Sequence, residues 1–109
     1  MSFEIIATKE FDRELKKLSK RYASFKYDYL ALVESLENNP TQGTPLGKDC
    51  YKIRLSISAK GKGKSGGVRI ITHVKIMDEK VYLLSIYDKS DQTSISDKEI
   101  LTRLNSINP

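Results

Sequence analysis

Strict alternation of apolar and polar positions dominates the middle of this chain. From Cys50 to Ser58, Tyr51, Ile53, Leu55 and Ile57 take one side while Lys52, Arg54, Ser56 and Ser58 take the other, the period of a half-buried strand. Val68 to Ile76 alternates as well, with Val68, Ile70, Thr72, Val74 and Ile76 opposite Arg69, Ile71, His73 and Lys75. Asp78-Glu79 then makes a turn into Val81–Tyr87, which is apolar on both sides and suits a central strand. Phe3 to Ala7 reads as a short first strand.

Elsewhere the period is helical. Thr8 can cap a helix in which Phe11, Leu15, Leu18 and Tyr22 form one stripe. Phe25, Tyr29, Leu32, Val33 and Leu36 repeat at three and four over Ser24–Asn39, and Asn39-Pro40 stops that helix. So short a connection makes the two an antiparallel hairpin. Thr41–Asp49, holding Gly43, Pro45 and Gly47, reads as a loop. Ser96-Asp-Lys-Glu99 has the form of a capping box for a last helix that buries Ile100, Leu101, Leu104 and Ile107. The pattern predicts one α+β domain spanning 1–109, in the order β-α-α-β-β-β-α. Its antiparallel-dominated, four-stranded sheet packs one face on the helical hairpin and leaves the other available.

Charge changes the picture of that second face. Between Lys48 and Lys75 lie eight cations and one acid, Asp49, so the segment is +7 while the whole protein is +5. Two strands and the loop Lys60–Gly67 carry this excess, a layout suited to a polyanion. Cations on neighbouring strands repel unless an anion bridges them, so Lys52, Arg54 and Arg69 read as phosphate-recognition candidates. A lysine among cations is also pushed towards proton exchange. His73 shares the Arg69 face by parity, and Lys89 follows the last strand, where its side chain can lean over the sheet. Lys60, Lys62 and Lys64 sit among glycines that free the backbone, and together with Arg54 and Lys75 are candidate contacts to a partner's phosphates.

Several chemistries drop out. A single cysteine, Cys50, excludes an internal disulfide and reads as a small buried hydrophobe at a strand start. One histidine and one cysteine make a poor transition-metal ligand set, so no metal or cofactor is implied. Gly63-Lys64-Ser65 looks like the tail of a phosphate-binding P-loop, but Ser58 stands where that motif needs glycine, and a β-branched run follows instead of a helix. There is no membrane-length apolar run and no signal-peptide pattern, which predicts a cytoplasmic location.

Asp49-Cys-Tyr-Lys-Ile-Arg-Leu55, the basic strand beginning near Arg69, and Asp78-Glu-Lys-Val-Tyr-Leu-Leu-Ser-Ile-Tyr-Asp-Lys89 together resemble the RelE/ParE superfamily of bacterial toxins across nearly the whole chain. The loop Lys62–Arg69 and the segment Ile86–Asp91 look most like its RelE/HigB-type members. That resemblance implies a ribosome-dependent messenger-RNA endonuclease held by a cognate antitoxin in a hetero-oligomer, so the phosphates met by Arg54, Lys60, Lys62, Lys64 and Lys75 would be those of RNA. Its metal-free reaction would use the RNA's own 2′-hydroxyl as nucleophile. The family's strand motif with two lysines falls on Lys52 and Arg54, its strand arginine on Arg69, and a second arginine on Lys89. Two departures stand out. Arg54 replaces a lysine and, staying protonated, is a poor base; Ile95 falls near the family's C-terminal aromatic. Lys52, His73 or Tyr87 are left to fill the proton-transfer role. Two other readings stay open, a ParE-like gyrase inhibitor and a non-catalytic RNA-binding relative.

Overall fold

The computed structural model describes residues 2–61, 63 and 66–107. The alternating and helical stretches become β1 (Glu4–Ala7), α1 (Lys9–Arg21), α2 (Phe25–Asn38), β2 (Thr44–Gly47), β3 (Cys50–Leu55), β4 (Val68–Lys75), β5 (Lys80–Asp88) and α3 (Asp97–Ile107). Thr8 caps α1 as its sequence predicts: its hydroxyl accepts from the Phe11 N–H at 3.3 Å and donates to the Leu83 carbonyl at 3.0 Å, tying the helix start to β5. Ser96 caps α3 by accepting from the Glu99 N–H at 3.1 Å. The reciprocal half of the box is replaced, since the Glu99 carboxylate reaches forward to Arg103 instead.

The sheet has five strands, not four, in the order β1-β5-β4-β3-β2, with β1 parallel to β5 and every other pair antiparallel. The extra strand, β2, comes from the stretch expected to be a loop. It is exposed throughout and contains Pro45, so no hydrophobic alternation betrays it; as an edge strand it tolerates the missing N–H of proline. It joins β3 through the two-residue turn Lys48-Asp49, both at positive φ. That is the geometry of a tight hairpin made without its usual Asn-Gly. The Asp49 carbonyl accepts from the Val74 N–H at 2.9 Å and holds the turn to β4.

One residue in β5 changes the parity of everything after it. Ile71 pairs with Ser85 and Thr72 with Leu83, leaving Leu84 as a bulge. Val81 and Leu83 therefore face the α1–α2 hairpin, and so does Ile86, while Leu84 faces α3. The hairpin-side core gathers Phe11, Phe25, Leu36, Val68, Ile70, Val81 and Leu83, all fully buried. A smaller core on the other face packs Ile100 and Leu104 of α3 on Cys50, Ile71 and Leu84. Cys50 is buried there, as expected of a small hydrophobe. Leu101 departs from expectation and is 37% exposed, and Ile107 is only partly buried.

The second face is thus half covered by α3. Beyond Leu83, where β1 ends, the open edge of β5 is closed by side chains. The Ile86 N–H donates to Glu14 at 3.2 Å, and the Leu84 carbonyl accepts from Arg103 at 2.9 Å. Arg103 and Glu14 also pair with each other at 2.7 and 3.0 Å. Among the described residues no helix is long and apolar enough to cross a membrane.

Gly67, just before β4, sits where a side chain does not fit: a methyl group there would overlap the Leu55 carbonyl oxygen. Gly67→Ala must therefore push β3 from β4, and should cost about 1–3 kcal/mol in a denaturant melt. Unchanged stability would show that the strand ends are not held this closely.

Candidate nucleic-acid interface

Strand register arranges the cations of the second face in rows. Arg54, Arg69 and Tyr87 form one row across β3, β4 and β5; Lys52, Ile71 and Ser85 form the next; Cys50, His73 and Tyr82 form a third. Same-face residues along a strand lie about 6.6 Å apart, so Lys52 sits one step from Arg54. Arg54 and Arg69 are direct cross-strand partners, a like-charge placement that is destabilising by itself. Arg54 is exposed and Lys52 half-buried. Lys89 is exposed at the same end of the sheet, where its N–H donates to the Gly67 carbonyl at 3.1 Å. The fold brings Lys52, Arg54, Arg69 and Lys89 together.

It corrects the picture of an open polar face in two places. Arg69 is 3% exposed, its guanidinium donating to the Val68 carbonyl at 3.2 Å. His73 is buried in the α3-covered half with its Nδ1 3.7 Å from the Cys50 sulfur. Burial pushes the His73 imidazole below its ordinary pKa and the Cys50 thiol above its own. Four residues along β4, or about 13 Å, separate His73 from Arg69. Lys75 is farther still, roughly 20 Å along the strand from Arg69, with its ammonium over the Tyr82 ring. Ile95, where the resemblance places an aromatic residue, packs against the α3-side core.

Lys60 is the third correction. It does not project as a solvated loop lysine: its side chain is 15% exposed and its ammonium lies 3.3 Å from Asp88 and 5.5 Å from the centre of the Tyr22 ring. It also donates to the Gly66 carbonyl at 3.2 Å, which pins the start of the loop to its end. Lys62 and Lys64 lie outside the described residues.

Asp88 is the hub that sequence reasoning did not single out. Its carboxylate accepts from Ser90 N–H and hydroxyl at 2.9 and 2.7 Å, from Tyr22 at 3.1 Å and from Arg21 at 3.3 Å, besides Lys60. Burial alone would raise its pKa, but the Ser90, Lys60 and Tyr22 hydrogen bonds outweigh that and hold it at about 2. Only the Asp88-x-Ser90 spacing of this network was visible in the sequence, since Asp88 and Tyr22 lie 66 positions apart. Among the described residues no group of three or more His, Cys, Asp or Glu could hold a metal ion.

A small antiparallel-dominated sheet between a helical hairpin and a C-terminal helix is a RelE-like fold. The family model described as RelE toxin of the RelE/RelB toxin–antitoxin system matches residues 4–106, and the chain belongs to that family. Solved structures agree in fold. A double arginine-to-alanine mutant of E. coli RelE in the free state is 19% identical, with a TM-score of 0.59 over 85% of this chain and 90% of that one. The isolated E. coli RelE toxin is 21% identical, with a TM-score of 0.52 over 94% and 99%. The toxin in the intact E. coli RelBE toxin–antitoxin complex is 20% identical, with a TM-score of 0.51 over 80% and 96%.

The Asp88 network makes an acid prediction. Because the folded carboxylate titrates below the unfolded one, its stabilisation is complete above about pH 4 and disappears as pH falls towards 2. Denaturant melts should show the wild type losing about 2 kcal/mol more than Asp88→Asn between pH 5 and pH 2. Equal acid losses would remove Asp88 from the centre of the network.

Proposed function

We propose that this protein is the toxin of a toxin–antitoxin pair and cuts messenger RNA on the ribosome by a metal-independent route. The observation that carries this reading is the Arg54–Arg69 cross-strand pair, flanked by Lys52 and Lys89 at one end of the sheet. Between these cross-strand partners a phosphodiester can accept hydrogen bonds from arginine's planar fork. Placed there, the RNA's 2′-oxygen attacks the adjacent phosphorus, losing its proton to a base as the bond from phosphorus to the 5′-oxygen breaks. The 5′-oxygen takes a proton from a general acid and leaves as a hydroxyl, and a cyclic 2′,3′-phosphate remains.

Arg54 and Arg69 hold the charge that builds on the phosphate oxygens. Lys52 and Lys89 flank this row and carry protons to exchange. His73 is too far from it to serve, and Lys75 belongs to a separate stretch of surface. Membership of the RelE family supports the toxin assignment, and the complex of E. coli RelE with RelB supports an antitoxin partner here too.

Induced expression followed by primer extension tests the reading directly. Cuts should appear within translated codons, the fragments should carry 5′-hydroxyl ends, and an antitoxin encoded nearby should suppress them. Arg54→Ala, which removes an exposed cation from a like-charge pair, should leave unfolding stability unchanged or slightly higher. It should lower cleavage by on the order of a hundredfold. Supercoiling defects without message cuts would replace this reading with gyrase inhibition, and full cleavage by Arg54→Ala would take the pair out of the active site.

A further inference from the structure

Tyr87 completes the Arg54–Arg69 row, directly opposite Arg69 on β5, and is 6% exposed. Its hydroxyl is buried and has no hydrogen-bond partner among the described residues. A phenylalanine would fill the same space without burying a donor, and the chain uses phenylalanine at Phe11 and Phe25, where a ring is wanted only for packing. We propose that the Tyr87 hydroxyl is a substrate contact: with Arg69 it forms a subsite for an RNA phosphodiester, whose oxygen supplies the missing acceptor. The inference deepens the proposed function and rests on it.

The surroundings select this ligand class. Arg69 is its cross-strand partner and acts on it electrostatically, so the complementary ligand is an anion rich in acceptors. Burial raises the phenol's pKa and Arg69 offsets this only in part, so at neutral pH the group is a donor and not a base. Thr72, whose hydroxyl is likewise unpartnered among the described residues, shows the contrast: it is fully buried in β4 and has no cation opposite it. Tyr87, one of the residues left to fill the proton-transfer role, serves here as a hydrogen-bond donor instead, while the family's own aromatic falls at Ile95.

Tyr87→Phe removes one oxygen and nothing else. Three measurements decide its role: the thermal midpoint, binding of a short 2′-O-methyl RNA that cannot attack its own phosphate, and single-turnover cleavage on programmed ribosomes. The midpoint should stay level or rise, while oligonucleotide affinity and cleavage rate each fall about tenfold or more. The salt slope of binding should not change, because no charge is removed; Arg54→Ala should flatten it by about 0.7. A lower midpoint with matching functional loss would overturn the proposal by giving the hydroxyl a structural partner. So would binding and cleavage that equal wild type. Wild-type protein that grips the oligonucleotide through Tyr87 but cuts no message keeps the subsite and overturns the cleavage reading. If it neither binds nor cuts, both fall.

Discussion

A single extra residue in β5 decides which side chains share a face with the arginines. Leu84 is accommodated as a bulge, and the alternation resumes one position out of step. Had β5 run on regularly from Val81 and Leu83, Tyr87 would have pointed into the hairpin core. Asp88 would then have stood among the cations of the other face. The bulge reverses both. Tyr87 joins Arg54 and Arg69, and Asp88 turns to meet Tyr22, Arg21 and Lys60 beneath the start of the loop.

Each face then has its own economy. The hairpin face is closed by apolar packing, with Asp88 at its margin holding Lys60. The other face is divided. Where α3 lies, Cys50, Ile71 and Leu84 give it an apolar footing, and Arg103 locks it to Glu14 across the free edge of β5. Where α3 stops, Arg54 and Arg69 are cross-strand partners and the Tyr87 hydroxyl has no hydrogen-bond partner among the described residues.

The loop lysines teach a related point. Composition alone makes Lys60 equivalent to its neighbours Lys62 and Lys64, a cation among glycines. The fold sets it apart, because the 3-10 turn Ser58–Lys60 aims it back under the loop at a carboxylate 28 positions away. Its charge serves the protein's own structure. A count of basic residues therefore overstates how many of them project freely from the surface.

Elements and their order were legible in the sequence because they depend on local periodicity. Thr8, Ser96 and the alternation of β3 and β4 each act through neighbours a few residues away, and the grouping of Lys52, Arg54 and Arg69 on one face follows from parity alone. Three things were not legible. β2 has no hydrophobic pattern and exists only because β3 offers an edge; the bulge at Leu84 lies within a run apolar on both sides, where no position shows a slip. The burial of His73 depends on where α3 comes to rest, and the closure of Asp88 and Arg103 depends on partners brought from 66 and 89 positions away. Residue pattern determined which faces exist, since side-chain direction is a local property. Tertiary packing decided which parts of them stay open, since covering a face requires chain from elsewhere.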